Sequence, residues 1–154
     1  MKYKIGVVDT AFARVDMAKC ALEELSKKKD VEIIRRTVPG IKDLAVECKR
    51  VLNGGADICI ALGWVGGAEI DRQCAHEASI GIQNAKLMAG KHILEVFVFE
   101  FEGKTPNELS AIAENRARKH AMNAYLMVSD PKSLSRNAGM GIRQGKGDVG
   151  PIRK

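Results

Sequence analysis

Short apolar runs alternate along the chain with stretches whose apolar residues recur at helical spacing. Residues 3–8 (YKIGVV) read as a strand, and Val15, Ala18, Leu22 and Leu25 then predict a helix over 11–27. Val31–Val38 (VEIIRRTV) is a second strand, whose Arg35-Arg36 pair suits a sheet edge. Ile41, Leu44, Ala45, Cys48, Val51 and Leu52 mark one face of a second helix, and Asn53-Gly54-Gly55 stops it. Residues 57–62 (DICIAL) form a buried strand followed by a glycine-bearing loop, 63–67. A third helix over 71–88 rests on Ala75, Ala78, Ile82, Ala85 and Ala89 and ends at Gly90. Residues 92–99 (HILEVFVF) supply the fourth strand. Thr105-Pro106-Asn107-Glu108 has the form of a capping box with proline at the first helical position, opening a helix to about 126. Four strand–helix units in succession require right-handed crossovers. They predict an α/β three-layer sandwich, a four-stranded parallel sheet flanked by helices, in one domain with an irregular tail from about 128.

Composition narrows the classes. The 154 residues are 45% apolar and 29% charged, enough to bury a core and unlike a disordered chain. No apolar run has the ~20 residues of a membrane span. The start, MKYKIGVVDT, does not read as a signal peptide, because its apolar stretch meets Asp9 and has no small-residue cleavage site. Cys20, Cys48, Cys59 and Cys74 lack CxxC spacing, and reduced thiols in a cytoplasmic protein are expected. The net charge of +6 admits an anionic ligand or nucleic acid, but the basic residues are scattered. Only 5% of residues are aromatic and none interleave with a basic stripe, so no nucleic-acid partner is expected.

Ligands of open parallel sheets bind outside the carboxyl ends of the strands. Here those ends are Asp9-Thr10-Ala11-Phe12, Val38-Pro39-Gly40-Ile41, Leu62-Gly63-Trp64 and Phe97-Val98-Phe99. The common phosphate motifs fail at them. The first turn has no glycine for a pyrophosphate cradle. Gly103-Lys104-Thr105 would need a first glycine at Val98 to be a P-loop, and Asp57 opens its strand where a phospho-acceptor would close it. Asp71, Cys74 and His76 lack metal-ligand spacing, and no metal site is expected from them.

Two segments at the ligand edge remain. Pro39-Gly40 makes a tight turn that exposes backbone amides, with Asp43 in the first turn of the following helix. There its carboxylate complements the helix dipole, or accepts hydrogen bonds from a polyol. In Cys74-Ala75-His76-Glu77, His76 leans back toward the amino terminus of its helix, toward the crevice above Leu62-Gly63. A neutral imidazole there would serve as a base, while a packed histidine beside Ile80 and Leu87 is the plainer reading. Glu77 orients a ligand or solvates the helix.

Three stretches together, VVDTAFARVDMA, RTVPGIKDLA and IALGWVGGAEIDRQCAHEASIGI, resemble the archaeal type of riboflavin synthase, a relative of lumazine synthase. The closing RNAGMGIRQGKGDVGP is similar to that family's tail, so the resemblance covers nearly the whole chain. It implies a lumazine synthase-like, flavodoxin-like fold. It also implies dismutation of two 6,7-dimethyl-8-ribityllumazines by four-carbon transfer, giving riboflavin and 5-amino-6-ribitylamino-2,4(1H,3H)-pyrimidinedione. It further implies a pentamer with sites between subunits and no organic cofactor, magnesium having been associated with the archaeal enzymes.

Residue by residue, VPGIKDL matches the family's VPG-x-x-E-[LI], which places Asp43 on ribityl hydroxyls, one methylene shorter. Phe12 matches the aromatic that packs on the heterocycle. Phe97, Val98 and Phe99 match a wall given by a neighbouring chain. Thr10, Val38, Pro39, Gly40, Ile41, Leu62 and Gly63 complete the expected pocket, with His76 as the proton-moving group and Glu77 beside it. The histidine- and threonine-bearing phosphate segment of lumazine synthase is replaced here by GGAEIDRQ, which favours two non-phosphorylated lumazines over a sugar phosphate. Lumazine synthase itself, or a non-catalytic flavin or lumazine carrier, is the alternative.

Overall fold

A computed structural model describes residues 1–153. The chain runs β1 (Tyr3–Thr10), α1 (Met17–Ser26), β2 (Val31–Val38), α2 (Leu44–Asn53), β3 (Ile58–Val65), α3 (Glu69–Ala89), β4 (Ile93–Phe99), α4 (Pro106–Ser129) and α5 (Pro131–Asn137). Single 3₁₀ turns, Ile41–Asp43 and Glu100–Glu102, precede α2 and follow β4. All pairings are parallel and the strand order is β2-β1-β3-β4, so β2 with Arg35 and Arg36 is indeed an edge.

Alternation along the strands splits the apolar residues between two cores. Ile5, Val7, Ile60, Leu62, Val96 and Val98 pack under α1 and α4, largely against alanines of α4. Val8, Cys59, Ala61, Ile93 and Phe97 pack under α2 and α3. Strand β3 is buried along its whole length, as a central strand covered on both faces must be. Cys20, Cys48 and Cys59 are free and buried, and Cys74 is half-buried. Bonding to Cys59 and burial push the Cys48 thiol far up, so it stays protonated.

Four expectations are corrected. The first helix starts at Met17 and not at residue 11. The backbone after β1 keeps pairing beyond the strand, Ala11 N donating to Val38 O (2.7 Å) and Phe12 N to Pro39 O (3.3 Å). Thr10 Oγ1 donates to Phe12 O at 2.7 Å, and helix begins only where Asp16 accepts the Lys19 N–H at 3.0 Å. Gly63, Trp64 and Val65 are strand and not loop, because they pair with Phe97, Val98 and Phe99.

The tail is helical through α5, and irregular chain begins at 138 and not at about 128. At the start of α4, Thr105 Oγ1 accepts the Glu108 N–H at 3.1 Å, but Glu108 reaches back to Lys104 N (2.6 Å) and not to Thr105. The irregular tail then folds against α4. Gly145, at φ +82°, donates its N–H to Asn115 Oδ1 at 2.8 Å, and a Cβ there would collide with Arg116.

Candidate active-site crevice

The carboxyl ends of β1, β2 and β3 meet the amino-terminal turns of α3 around a crevice of about 150 Å³. Phe12 forms one side, Gly40 and Ile41 the second, and Asp71 and Cys74 of α3 the third. Trp64, Val65 and Gly66 run between them. Phe12 is 60% exposed, an uncovered aromatic face at the rim.

Backbone economy shapes this crevice. Gly63 has no Cβ because the Phe97 ring occupies that space, where a Cβ would lie 2.6 Å from two ring atoms and 3.0 Å from Ile41. Gly66 likewise admits the Asp71 carboxylate, which would lie 2.5 Å from its Cβ. Asp71 Oδ2 accepts the Ala68 N–H at 3.0 Å and so closes the first turn of α3, which has no capping side chain of its own. Trp64 is buried, and its Nε1 donates to Glu100 Oε1 at 3.1 Å, where Arg14 Nη1 also donates at 3.3 Å. These bonds, the tryptophan's first, hold the Glu100 carboxyl below its ordinary value.

The residues expected from sequence separate into three groups. Phe12, Gly40 and Ile41 line the crevice, with half-buried Val38 and exposed Pro39 in the same turn. Asp43 ends the 3₁₀ turn, is exposed, and has no side-chain hydrogen bond among the described residues, which leaves its carboxylate free to accept. Thr10 is buried with its hydroxyl turned to its own loop.

His76 does not reach the crevice. Ala75, Ala78 and Ile82 face the core, which swings position 76 to the exposed side of α3. Nor is it buried in a packed stripe with Ile80 and Leu87, which are themselves exposed. Cys74 and Asp71 take the crevice-facing positions instead. Glu77 is on the exposed side too, in an ion pair with Lys42 (2.5 Å) that ties α3 to the Pro39-Gly40 turn and lowers the Glu77 carboxyl.

Phe97 and Val98 are not an outward wall. They are buried in the two cores of their own chain, while half-buried Phe99 and exposed Phe101 form the aromatic pair at that end, with centroids 5.3 Å apart. Arg72 lies 5.8 Å over the Phe101 ring. Sequence reasoning missed Phe101, an apolar residue between Glu100 and Glu102; it placed Trp64 at a strand end without a role and weighed Asp71 and Cys74 only as metal ligands.

A parallel α/β sheet with an aromatic-rimmed crevice at its carboxyl edge defines a small-molecule site of the open-sheet class. The chain belongs to the 6,7-dimethyl-8-ribityllumazine synthase family, which it matches over residues 2–132. It is 52% identical over 151 residues to the riboflavin synthase of Methanothermobacter thermautotrophicus, covering 97% of this chain and 99% of the relative. The riboflavin synthases of Aeropyrum pernix and Archaeoglobus fulgidus are 48% and 45% identical, over 97% and 98% of this chain and 97% and 99% of the relatives.

Proposed function

We propose that this protein is a riboflavin synthase of the archaeal type, a transferase that dismutates two molecules of 6,7-dimethyl-8-ribityllumazine. The observation that carries this reading is end-to-end similarity to riboflavin synthases, extending through the tail beyond the matched family region. One lumazine donates a four-carbon unit to the other, and riboflavin and 5-amino-6-ribitylamino-2,4(1H,3H)-pyrimidinedione together contain every atom of the two substrates. The overall reaction therefore balances without an added oxidant or reductant.

The chemistry asks for positioning more than for a powerful base. The C7 methyl of the lumazine is acidic because its carbanion delocalises into the ring. Holding two flat rings together converts a bimolecular step to an intramolecular one, worth up to about 7–11 kcal/mol in favourable cases. In this reading Phe12 packs on a ring, the amides and carbonyls of the Pro39–Ile41 turn meet ring edges, and Asp43 accepts from ribityl hydroxyls. Thr10 holds the Phe12 loop in shape through its bond to the Phe12 carbonyl.

No organic cofactor enters this scheme. Magnesium has been associated with the family it resembles, and no cluster of three or more His, Cys, Asp or Glu occurs among the described residues. A homopentamer with sites between subunits is supported by apolar side chains left uncovered on α3, namely Ile70, Ile80, Leu87 and Met88, and by exposed Phe101. No helix among the described residues is long and apolar enough to cross a membrane, in keeping with a cytoplasmic enzyme.

The test is to incubate the protein with 6,7-dimethyl-8-ribityllumazine and separate the products by chromatography. Equal molar riboflavin and pyrimidinedione are expected. Binding without turnover would overturn the reading in favour of a carrier, and turnover only of a four-carbon sugar phosphate with the pyrimidinedione would make the protein a lumazine synthase.

A further inference from the structure

The carboxy-terminal chain forms a second cleft on the far side of the molecule. Helix α4 buries Ala113, Ala117, Ala121 and Ala124 against the sheet. Met122 and Leu126, one turn apart, therefore turn away from it, and neither belongs to either core. The chain then returns alongside them, held where Gly145 N donates to Asn115 Oδ1 at 2.8 Å. A space of about 430 Å³ results between α1, α4 and residues 137–144. Because α4 covers the sheet face opposite α3, this cleft and the aromatic-rimmed crevice lie on opposite sides of the sheet.

The volume falls within the ~300–1,000 Å³ of small-molecule sites. Its walls divide by chemistry. Met122, Leu126 and Ile142 supply an apolar floor, while the carboxamides of Asn123, Asn137 and Gln144 have no hydrogen-bond partner among the described residues. The cations are already engaged. Arg118 Nη2 donates to Glu23 Oε2 at 2.7 Å, and Lys119 Nζ lies 3.6 Å from Asp148. An anionic ligand would have to displace those carboxylates, so the cleft suits an uncharged one.

A carboxamide sets donor and acceptor side by side, the complement of an imide edge in which an N–H lies between two carbonyls. A flat ligand with such an edge at one end and an apolar ring at the other matches both walls, and a thioether such as that of Met122 makes favourable contacts with aromatic rings. Flavins have this build, a pyrimidinedione at one end and a dimethylbenzene at the other, and the proposed reaction releases one. We infer that the cleft between α1, α4 and the tail is a second ligand site, which binds the uncharged ring system of a flavin away from the crevice. The choice of a flavin rests on the riboflavin synthase reading.

The test is equilibrium dialysis of the full chain against lumiflavin, which keeps the flavin rings and carries a methyl group in place of the ribityl chain that Asp43 would hold. The wild type should bind it. Asn123→Ala should weaken binding by about 3- to 10-fold, as the loss of neutral hydrogen bonds does, and Leu126→Glu by at least about tenfold. Asp43→Ala should leave it unchanged. Uracil has the imide edge without the apolar ring and should bind at least about tenfold more weakly than lumiflavin. The inference is overturned if the wild type does not take up lumiflavin, if Asp43→Ala abolishes binding that both cleft variants keep, or if uracil binds equally well. Alanine raises helix propensity at position 123, so Asn123→Ala reads the cleft even if Leu126→Glu folds poorly. Riboflavin formation by the wild type is followed in parallel. Its absence, with lumiflavin still held through Asn123 and Leu126, would count against the proposed reaction and leave the site standing.

Discussion

Arg116 grips Glu102 with both prongs of its guanidinium, Nη1 to Oε2 at 2.7 Å and Nη2 to Oε1 at 2.8 Å, while Nη1 also donates to the Phe97 carbonyl at 2.8 Å. One side chain of α4 thereby fixes the end of β4, the 3₁₀ turn behind it and, through contact with Gly145, the tail. Burial pushes the Glu102 carboxyl up, but Arg116 and the Phe99 N–H outweigh it and leave its pKa lowered.

Removing the guanidinium would strand a carboxylate whose side chain is only 14% exposed. Arg116→Met is expected to cost about 3–5 kcal/mol, as breaking one half of a buried pair does. Chemical denaturation checks this, and the replacement of both partners by Met and Leu should recover much of the loss. Because the folded Glu102 pKa lies below its ordinary 4.5, this contribution is present above that range and is lost as pH falls through the folded value.

His120 supplies a second pH dependence, at higher pH. Its Nδ1 is buried with no hydrogen-bond partner among the described residues, and burial followed by the charge of Arg116 lowers its pKa. The unfolded chain therefore takes up a proton first as pH falls from about 6.5, and stability should decline below that value. Melting temperature recorded between pH 7.5 and 5 should show the slope in the wild type and a flatter curve in His120→Phe. Equal slopes would remove His120 as the cause.

Beneath the crevice Gly63 tolerates no side chain, since the Phe97 ring fills the place of its Cβ. Gly63→Ala should cost about 1–3 kcal/mol as an overpacking change and displace Phe97 or Ile41. Urea titration measures the first effect. A weakened affinity for riboflavin, beyond what a fold change of that size explains, measures the second.

The single tryptophan, Trp64, lies along the crevice with its indole bonded to Glu100. Lumazine or riboflavin binding should quench its fluorescence, and Glu100→Gln should shift the emission before any ligand is added. Emission unchanged at saturating riboflavin would place the ring elsewhere.

The two groups first picked for chemistry should behave differently. His76→Ala should keep turnover within about threefold, since the imidazole lies outside its own crevice. Asp43→Ala should raise KM for the lumazine by about 10- to 100-fold through the loss of charge-assisted bonds to the ribityl chain. A collapse of kcat in His76→Ala at unchanged KM would restore the histidine as the proton-moving group.

The order of elements, the edge position of β2, the two-sided burial of β3 and the Pro39-Gly40 turn beside Asp43 were legible in the amino-acid pattern alone. Each follows from periodicity or from a residue whose backbone preferences are local. What tertiary structure alone decided is direction and pairing. Spacing gave the alanine face of α3, but whether His76 or Cys74 then faces the crevice depends on how that helix sits against the strand ends, which spacing did not resolve. Residues 11–16 carry helical periodicity, yet the Ala11 and Phe12 amides bond across to Val38 and Pro39, so a long-range ladder overrides the local signal. Phe97 was expected in an outward wall from the family resemblance alone, and the bare Cα of Gly63, thirty-four positions away in sequence, gives its ring the room to turn inward.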